Sequence, residues 1–239
     1  MGRRTAEVAN KAPLNRERTL SVALAVADAE GIEAVTMRRL ARELGVEAAS
    51  LYHHVRGKEE ILDGLVDLVF AEIELPEPSG RWREEMAKRA RSARGVLRRH
   101  PWSIALLESR TSPGPATLRH HDATIGALRA GGLSIAETAH AYAVLDAFVY
   151  GFAVQESSLP FEGPDGAAEV AGPIMELMQA GDYPHLVEFA TQHAMLPGYD
   201  FGAEFEVGLE LVLDGIARMV DGSVSTGRKS TRTPAGRST

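Results

Sequence analysis

Residues 36–58 contain the feature that most limits what this chain can fold into, a glycine between two short amphipathic segments. In "TMRRLARELGVEAASLYHHVRGK", apolar residues recur at helical spacing on both sides of Gly45. Thr36 is a favourable N-cap residue, and Gly45 can take a positive φ without steric cost. The pattern predicts two short helices joined by a sharp turn. Their inner seam is expected to consist of Met37, Leu40, Ala41, Leu44, Val46, Leu51 and Val55.

Helical spacing continues through most of the chain, so the sequence predicts an all-α fold. No alternating run of β-branched residues competes with this pattern. Glycines and prolines separate the predicted helices. These helices are expected near residues 20–30, 36–44, 47–54, 58–73, 82–99, 102–110, 116–130, 135–158, 167–179, 184–194 and 202–221.

The charge is unevenly distributed, although the whole chain has a net charge of −7. Residues 1–58 contain more basic than acidic residues, whereas residues 59–227 contain more than twice as many acidic as basic ones. A basic segment on an acidic protein indicates a surface that meets a polyanion. A random distribution of surface charge is the alternative.

Several classes of protein are disfavoured by what the sequence lacks. There is no cysteine, which excludes disulfides and thiolate zinc sites and fits a cytoplasmic protein. A secretory signal and an apolar run long enough to cross a membrane are both missing. The motifs HExxH, GxSxG, GxGxxG and the P-loop are absent, so no enzyme and no cofactor is expected. The pairs His53/His54 and His120/His121 are poor metal sites, because neighbours on a helix diverge by about 100°.

Three blocks near the N-terminus, "LNRE", "GIEAVTMRRLARELGV" and "SLYHHVRGKEEIL", resemble in sequence and spacing the DNA-binding domain of the tetracycline-repressor family. The later stretch "AYAVLDAFVYGFAVQE" is similar to the C-terminal domain of the tetracycline repressors themselves. The resemblance implies a ligand-responsive transcriptional regulator, expected to be a repressor that binds a palindromic operator as a homodimer. The alternative is a helical adaptor or a small-molecule-binding protein that does not act through DNA.

This resemblance divides the chain into four expected parts. They are a flexible basic arm over residues 1–13, a three-helix helix-turn-helix domain over 14–60, a helical effector-binding and dimerisation domain over 61–221, and a disordered tail over 222–239. The helix from Lys58 to Ile73 is the expected lever between the first domain and the second.

The family's DNA contacts can be carried over position by position. They fall on Thr36, Arg38, Ala48, Ala49, Ser50, Tyr52, His53, His54 and Lys58. Thr36, Arg38, Tyr52 and Lys58 suit phosphate contacts, and Arg39 and Arg42 stand on the same helix as Arg38. Base reading is expected from the second helix. Ala48 and Ala49 replace a glutamine and a proline of the tetracycline repressors, so a different operator is expected.

The C-terminal part is expected to hold both the dimer interface and a pocket. Residues 139–154 are apolar nearly all round, and residues 202–221 are apolar beyond one face, which favours a four-helix interface. Charges at Leu209 and Val212 are expected to split the dimer if these residues face the partner. The pocket walls are predicted to be Trp102, Leu106, Ser109, His121, Thr124, Phe148, Phe152, Gln155 and Met178, with core packing as the alternative for each. Ile73 and Leu106 replace the family's magnesium-binding histidines, so a small hydrophobic effector without a metal is expected.

Overall fold

Every regular element among the residues that the structure describes is a helix. The structure is a computed structural model that describes residues 13–107, 109–160, 172 and 174–229. Its helices are α1 (Arg16–Glu30), α2 (Met37–Leu44), α3 (Ala48–Leu51), α4 (Lys58–Glu72), α5 (Trp82–Arg99), α6 (Ile104–Leu107), α7 (Pro115–Ala130), α8 (Ile135–Ser158), α9 (174–180), α10 (Pro184–Phe189) and α11 (Glu204–Lys229). The predicted all-α fold is confirmed.

Residues 14–60, called the head below, form the predicted helix-turn-helix. The Thr36 side chain caps α2 by accepting a hydrogen bond from the Arg39 backbone N–H at 3.2 Å. Gly45 ends α2 in the left-handed conformation, with φ of 67°, as the sharp turn requires. The predicted seam is confirmed. Leu40, Ala41, Leu44, Leu51 and Val55 are buried, and Met37 and Val46 pack against them.

Helix α3 is shorter than the sequence predicts. It covers Ala48–Leu51, whereas residues 47–54 were expected to be helical. Residues 52–54 form tighter turns, in which each backbone N–H donates to the carbonyl oxygen three positions earlier. The Tyr52 N–H donates to the Ala49 carbonyl at 3.3 Å, and the His54 N–H donates to the Leu51 carbonyl at 2.9 Å. Such tightening is common at the C-terminus of a helix, where carbonyls would otherwise lack partners.

The packing divides the chain after Thr138, inside α8, into two compact units. The predicted boundary between residues 60 and 61 is therefore not a break in the first unit. Helix α4 crosses it and packs on α1 on one side and on α7 on the other. Gly64 permits the close approach to α1, since a Cβ there would lie 2.6 Å from Leu20 Cδ2.

The second unit contains most of α8 together with α9, α10 and α11. Four phenylalanines join α8 to the start of α11. The ring centroid of Phe152 lies 4.9 Å from that of Phe201 and 5.1 Å from that of Phe205. The centroids of Phe148 and Phe205 are 5.2 Å apart. Gly208 leaves room for this cluster, because a Cβ there would lie 2.5 Å from the Phe148 ring.

The C-terminal helix is longer than predicted. Helix α11 continues to Lys229, so the expectation of a disordered tail from residue 222 is wrong for residues 222–229. These residues contain no proline, and extending an existing helix costs less than starting one. Residues 1–12 of the predicted arm, residues 230–239 of the predicted tail and part of the predicted helix 167–179 lie outside the described residues.

None of the helices formed by the described residues is both long and apolar enough to span a membrane.

Candidate nucleic-acid interface and effector region

The residues predicted to contact DNA are exposed or half-buried on the head. Leu51 and Val55 anchor the segment 48–55 from within, so the opposite face of α3 is turned outward. Tyr52 is 57% exposed. Thr36, Arg38, Ala49 and His53 are also exposed, and Ala48, Ser50, His54 and Lys58 are half-buried. None of the nine predicted contact residues is buried, so each keeps solvent-accessible surface.

The three arginines of α2 differ in what holds them. Arg39 donates to Glu30 at 2.5 Å and pairs with Glu43 at 2.8 Å, so its charge is used within the head. Arg38 and Arg42 are exposed and form no ion pair with any residue that the structure describes. The sequence placed all three arginines where phosphates would pass. In the structure, Arg38 and Arg42 are available to bind phosphates, whereas Arg39 is already ion-paired.

Helix α4 is tied along its length to the segment that follows α6. Arg110 donates to Asp63 at 2.6 Å and to Glu59 at 2.8 Å. Asp67 caps the N-terminus of α7, accepting from the Thr117 backbone N–H at 2.8 Å and from its hydroxyl at 3.0 Å. The predicted lever is thus fixed to its neighbours at both its first and its middle turns.

The residues predicted to line a pocket fall into both units. Trp102, Leu106, Ser109, His121 and Thr124 belong to the first unit, and Phe148, Phe152, Gln155 and Met178 belong to the second. Trp102 and Leu106 pack against the apolar core of the head. Ser109 and Gln155 are exposed, and Met178 is half-buried. Phe148 and Phe152 belong to the phenylalanine cluster.

Thr124 and His121 lie beside a buried histidine, His120. In the sequence this residue drew attention only as one of the adjacent pair His120/His121, which was judged a poor metal site. His120 is fully buried, and its Nε2 accepts a hydrogen bond from Arg89 Nε at 3.1 Å. Its ring packs on Phe70 with a centroid distance of 5.1 Å. The Thr124 hydroxyl donates to the His120 carbonyl at 2.7 Å. Helical spacing from Thr117 to Thr124 was the signal that places His120 inward.

Burial, followed by the positive charges of Arg89 and His121, lowers the pKa of His120 to about 3. The imidazole is therefore neutral near pH 7. Because Nε2 accepts from Arg89, the ring proton lies on Nδ1. That Nδ1 atom has no hydrogen-bond partner among the described residues. A buried donor without a partner is costly, and an acceptor that reaches it would recover this loss.

The pKa of His120 predicts a loss of stability in acid. The unfolded histidine gains a proton below about pH 6.5, whereas the folded one stays neutral down to about pH 3. The contribution of His120 to the free energy of unfolding is complete above about pH 6.5. It is lost at about 1.4 kcal/mol per pH unit as the pH falls towards 3. His120→Gln keeps an acceptor for Arg89 and does not titrate. Urea unfolding from pH 7 to pH 4 should show a flatter profile for this variant, and parallel profiles would contradict the prediction.

The sequence also matches two family models. Residues 20–65 match the model of bacterial regulatory proteins of the tetR family, and residues 75–220 match the tetracyclin repressor-like C-terminal domain. The chain belongs to the TetR family. The resemblance seen in the sequence is thereby confirmed for both parts of the protein.

Three similar proteins support this assignment. An HTH-type transcriptional regulator of Saccharopolyspora erythraea is 32% identical over 205 residues, which are 85% of this chain and 85% of the relative. The HTH-type transcriptional repressor DrrR1 of Streptomyces coeruleorubidus is 33% identical over 221 residues, covering 88% of this chain and 80% of DrrR1. ActR of Streptomyces coelicolor, in its crystal structure with actinorhodin, has a TM-score of 0.73 at 34% identity, covering 87% of this chain and 99% of ActR.

These relatives share the chain's fold and are transcriptional regulators. The predicted function as a DNA-binding, ligand-responsive transcriptional regulator of the TetR family is confirmed. The alternative, a helical adaptor or a small-molecule-binding protein that does not act through DNA, is therefore set aside.

Proposed function

We propose that this protein is a cytoplasmic repressor without enzymatic activity, which binds a palindromic operator as a homodimer and releases it when a small hydrophobic effector binds. The observation that carries the proposal is the outward face of the head. There Ala49, Tyr52 and His53 are exposed, and Arg38 and Arg42 are exposed and form no ion pair with described residues, so that a polyanion can use them.

Phosphate contacts are assigned to Thr36, Arg38, Tyr52 and Lys58, which flank α3 in the chain. Contacts of this kind set the position and orientation of the head on the duplex but do not read the base sequence.

Base reading is assigned to the second helix and the turn after it, with Ala48, Ala49, Ser50, His53 and His54. The imidazole of exposed His53 can donate to or accept from a base edge. The methyl of Ala49 suits a thymine methyl in the major groove. His53 is accordingly the residue whose replacement should change which sequence is preferred.

The effector is proposed to be a polycyclic aromatic compound with acceptor oxygens. ActR binds actinorhodin, and this chain is 34% identical to ActR. In the first unit, the Nδ1–H of His120 would donate to an acceptor of the ligand, beside His121 and Thr124. The pocket walls named from the sequence remain proposals, to be tested one substitution at a time.

Two neighbouring arginines of α2 provide the test of DNA binding. A selection from random duplexes first supplies an operator. Arg38→Ala is then expected to weaken binding to all sequences about tenfold and to lower the slope of log K against log salt by about 1, because one phosphate contact is lost. Fluorescence anisotropy over a salt series measures both quantities.

Arg39→Ala is the matched control, because it removes an equal charge that is already paired with Glu30 and Glu43. It should cost less than about 1 kcal/mol of stability and leave the salt slope unchanged. Equal slopes for Arg38→Ala and the wild type would show that the phosphate contacts lie elsewhere. A wild-type protein that selects no duplex would refute the proposed function itself.

A further inference from the structure

A buried histidine joins three distant parts of the first unit. His100, which follows α5 directly, is 6% exposed. Its Nδ1 lies 2.6 Å from Asp28 Oδ1 in the last turn of α1, and its Nε2 lies 3.1 Å from Glu72 Oε1 at the end of α4. Trp102 Nε1 donates to the same Asp28 oxygen at 2.8 Å. These contacts bring together residues more than seventy positions apart in the chain.

The chemistry of this cluster makes it a firm connection. Ionised carboxylates only accept hydrogen bonds, so His100 makes both contacts when both of its ring nitrogens carry protons. A hydrogen bond to an ionised carboxylate is shorter and stronger than one between neutral groups, which agrees with the 2.6 Å distance between His100 Nδ1 and Asp28 Oδ1. The Ser103 hydroxyl also donates to the His100 carbonyl at 2.7 Å, which fixes the turn that carries Trp102.

The cluster gives the head a second attachment, in addition to its direct continuation into α4. Helix α4 continues directly from the head, whereas Asp28 ties the end of α1 to the turn at Pro101–Ser103. Trp102 and Leu106 add apolar contact by packing against the core of the head. A head held at the end of α1 and through α4 has little freedom to tilt.

We propose that Asp28, His100 and Trp102 form a latch that sets the orientation of the DNA-binding head, and that they act as positioning residues for operator binding. The inference rests on the proposed function as a homodimer on a palindrome. Two latched heads present their α3 helices at one fixed separation and accept one spacing between half-sites. Two unlatched heads tilt and accept several spacings.

The test is a selection of bound sites from random duplexes with the full-length protein. The wild type should recover one half-site spacing. Asp28→Ala, which removes the shared acceptor, and Trp102→Phe, which removes the indole N–H while keeping an aromatic ring, should each recover several spacings. Both should bind the wild-type site about tenfold more weakly, within the usual range of coupling between sites. The salt slope should not change, because no phosphate contact is touched.

Two further variants separate positioning from general destabilisation. Asp28→Asn keeps an acceptor oxygen for Trp102 and should restore the single spacing. Lys88→Gln removes an ion pair of 2.8 Å with Glu74 that does not reach the head, and it should behave as the wild type. Thermal unfolding checks that each variant folds.

The emission of Trp102 reports on the latch itself. The chain has two tryptophans, so a Trp82→Phe background leaves Trp102 as the single tryptophan, whose emission can be excited selectively. A shift of its emission in Asp28→Ala shows that the contact is broken. If the emission shifts while spacing and affinity stay within twofold of the wild type, the latch does not position the head. A wild type that selects no palindrome would instead overturn the proposed function, and the latch with it.

Discussion

Replacing Leu211 with glutamate is expected to yield a monomer that no longer binds operator DNA. Leu211 is 65% exposed and Val207, one turn before it on α11, is 59% exposed, so both apolar side chains face outward on the same stripe. On α8, Ala143, Val144, Ala147 and Val154 are exposed as well. Apolar stripes of this kind mark interaction surfaces, and a symmetric dimer would cover them.

The expected effect is large because the substitution occurs twice in a symmetric dimer. Burying one leucine contributes about 1.5–3 kcal/mol, so two lost contacts amount to at least about 3 kcal/mol before the cost of burying two carboxylates. Dimer affinity should fall more than about a hundredfold. Light scattering at micromolar concentration should give the monomer mass, and anisotropy should show the loss of operator binding.

The structure corrects the residues that the sequence chose for this interface. A charge at Leu209 was expected to split the dimer if this residue faced the partner, but Leu209 is fully buried within its own chain, and Val212 is half-buried. A charge at Leu209 would therefore unfold the protein rather than divide a dimer. Leu118→Glu, at an exposed leucine of α7, is the control and should remain dimeric. A dimer that survives Leu211→Glu with unchanged operator affinity would place the interface elsewhere.

The head could be predicted in detail because its rules are local. Helical spacing, the Thr36 cap and the Gly45 turn each depend on residues a few positions apart, and all three are present in the structure. The limits of α5 and α8 were predicted for the same reason. Periodicity identifies which side of a helix faces inward, and this information was sufficient for the fold.

Polar pairing could not be predicted, because its partners are distant in sequence. Periodicity could place His120 inward but could not supply Arg89, which is 31 positions away. Periodicity also could not show that Arg39 is held in an ion pair while Arg38 is not, since the partner Glu30 lies on another helix. Likewise, Trp102 was chosen as a pocket wall from its aromatic bulk, yet its indole N–H binds Asp28. The candidate sites therefore depend on tertiary contacts more than the fold does.

Release of operator DNA by the effector is expected to need no magnesium. Ile73, which replaces one of the family's metal-binding histidines, is 3% exposed, and Leu106 packs against the head. An aliphatic side chain cannot ligate a hard cation. Within the part of the chain that the structure describes, no group of three His, Asp or Glu side chains is placed to hold a metal ion.

The size of the effect follows from linkage. A hundredfold loss of DNA affinity requires the effector to prefer the non-binding state by about 2.7 kcal/mol. Operator anisotropy should be measured with actinorhodin and other polycyclic aromatic compounds, once in EDTA and once in magnesium. Both titrations should give the same midpoint. Tetracycline with magnesium is the comparison and should leave the operator bound, because the histidine ligands it would need are absent at Ile73 and Leu106.

The outcomes of this titration point to different mechanisms. If EDTA abolishes release and magnesium restores it, the protein supplies metal ligands from elsewhere and the metal-free mechanism fails. If no compound releases DNA, while folded Phe152→Ala and Gln155→Ala variants still bind the operator like the wild type, the protein binds DNA constitutively. If release occurs in EDTA and His120→Phe raises the midpoint, the buried imidazole N–H contacts the effector. A folded His120→Phe variant with the wild-type midpoint would remove His120 from the effector site.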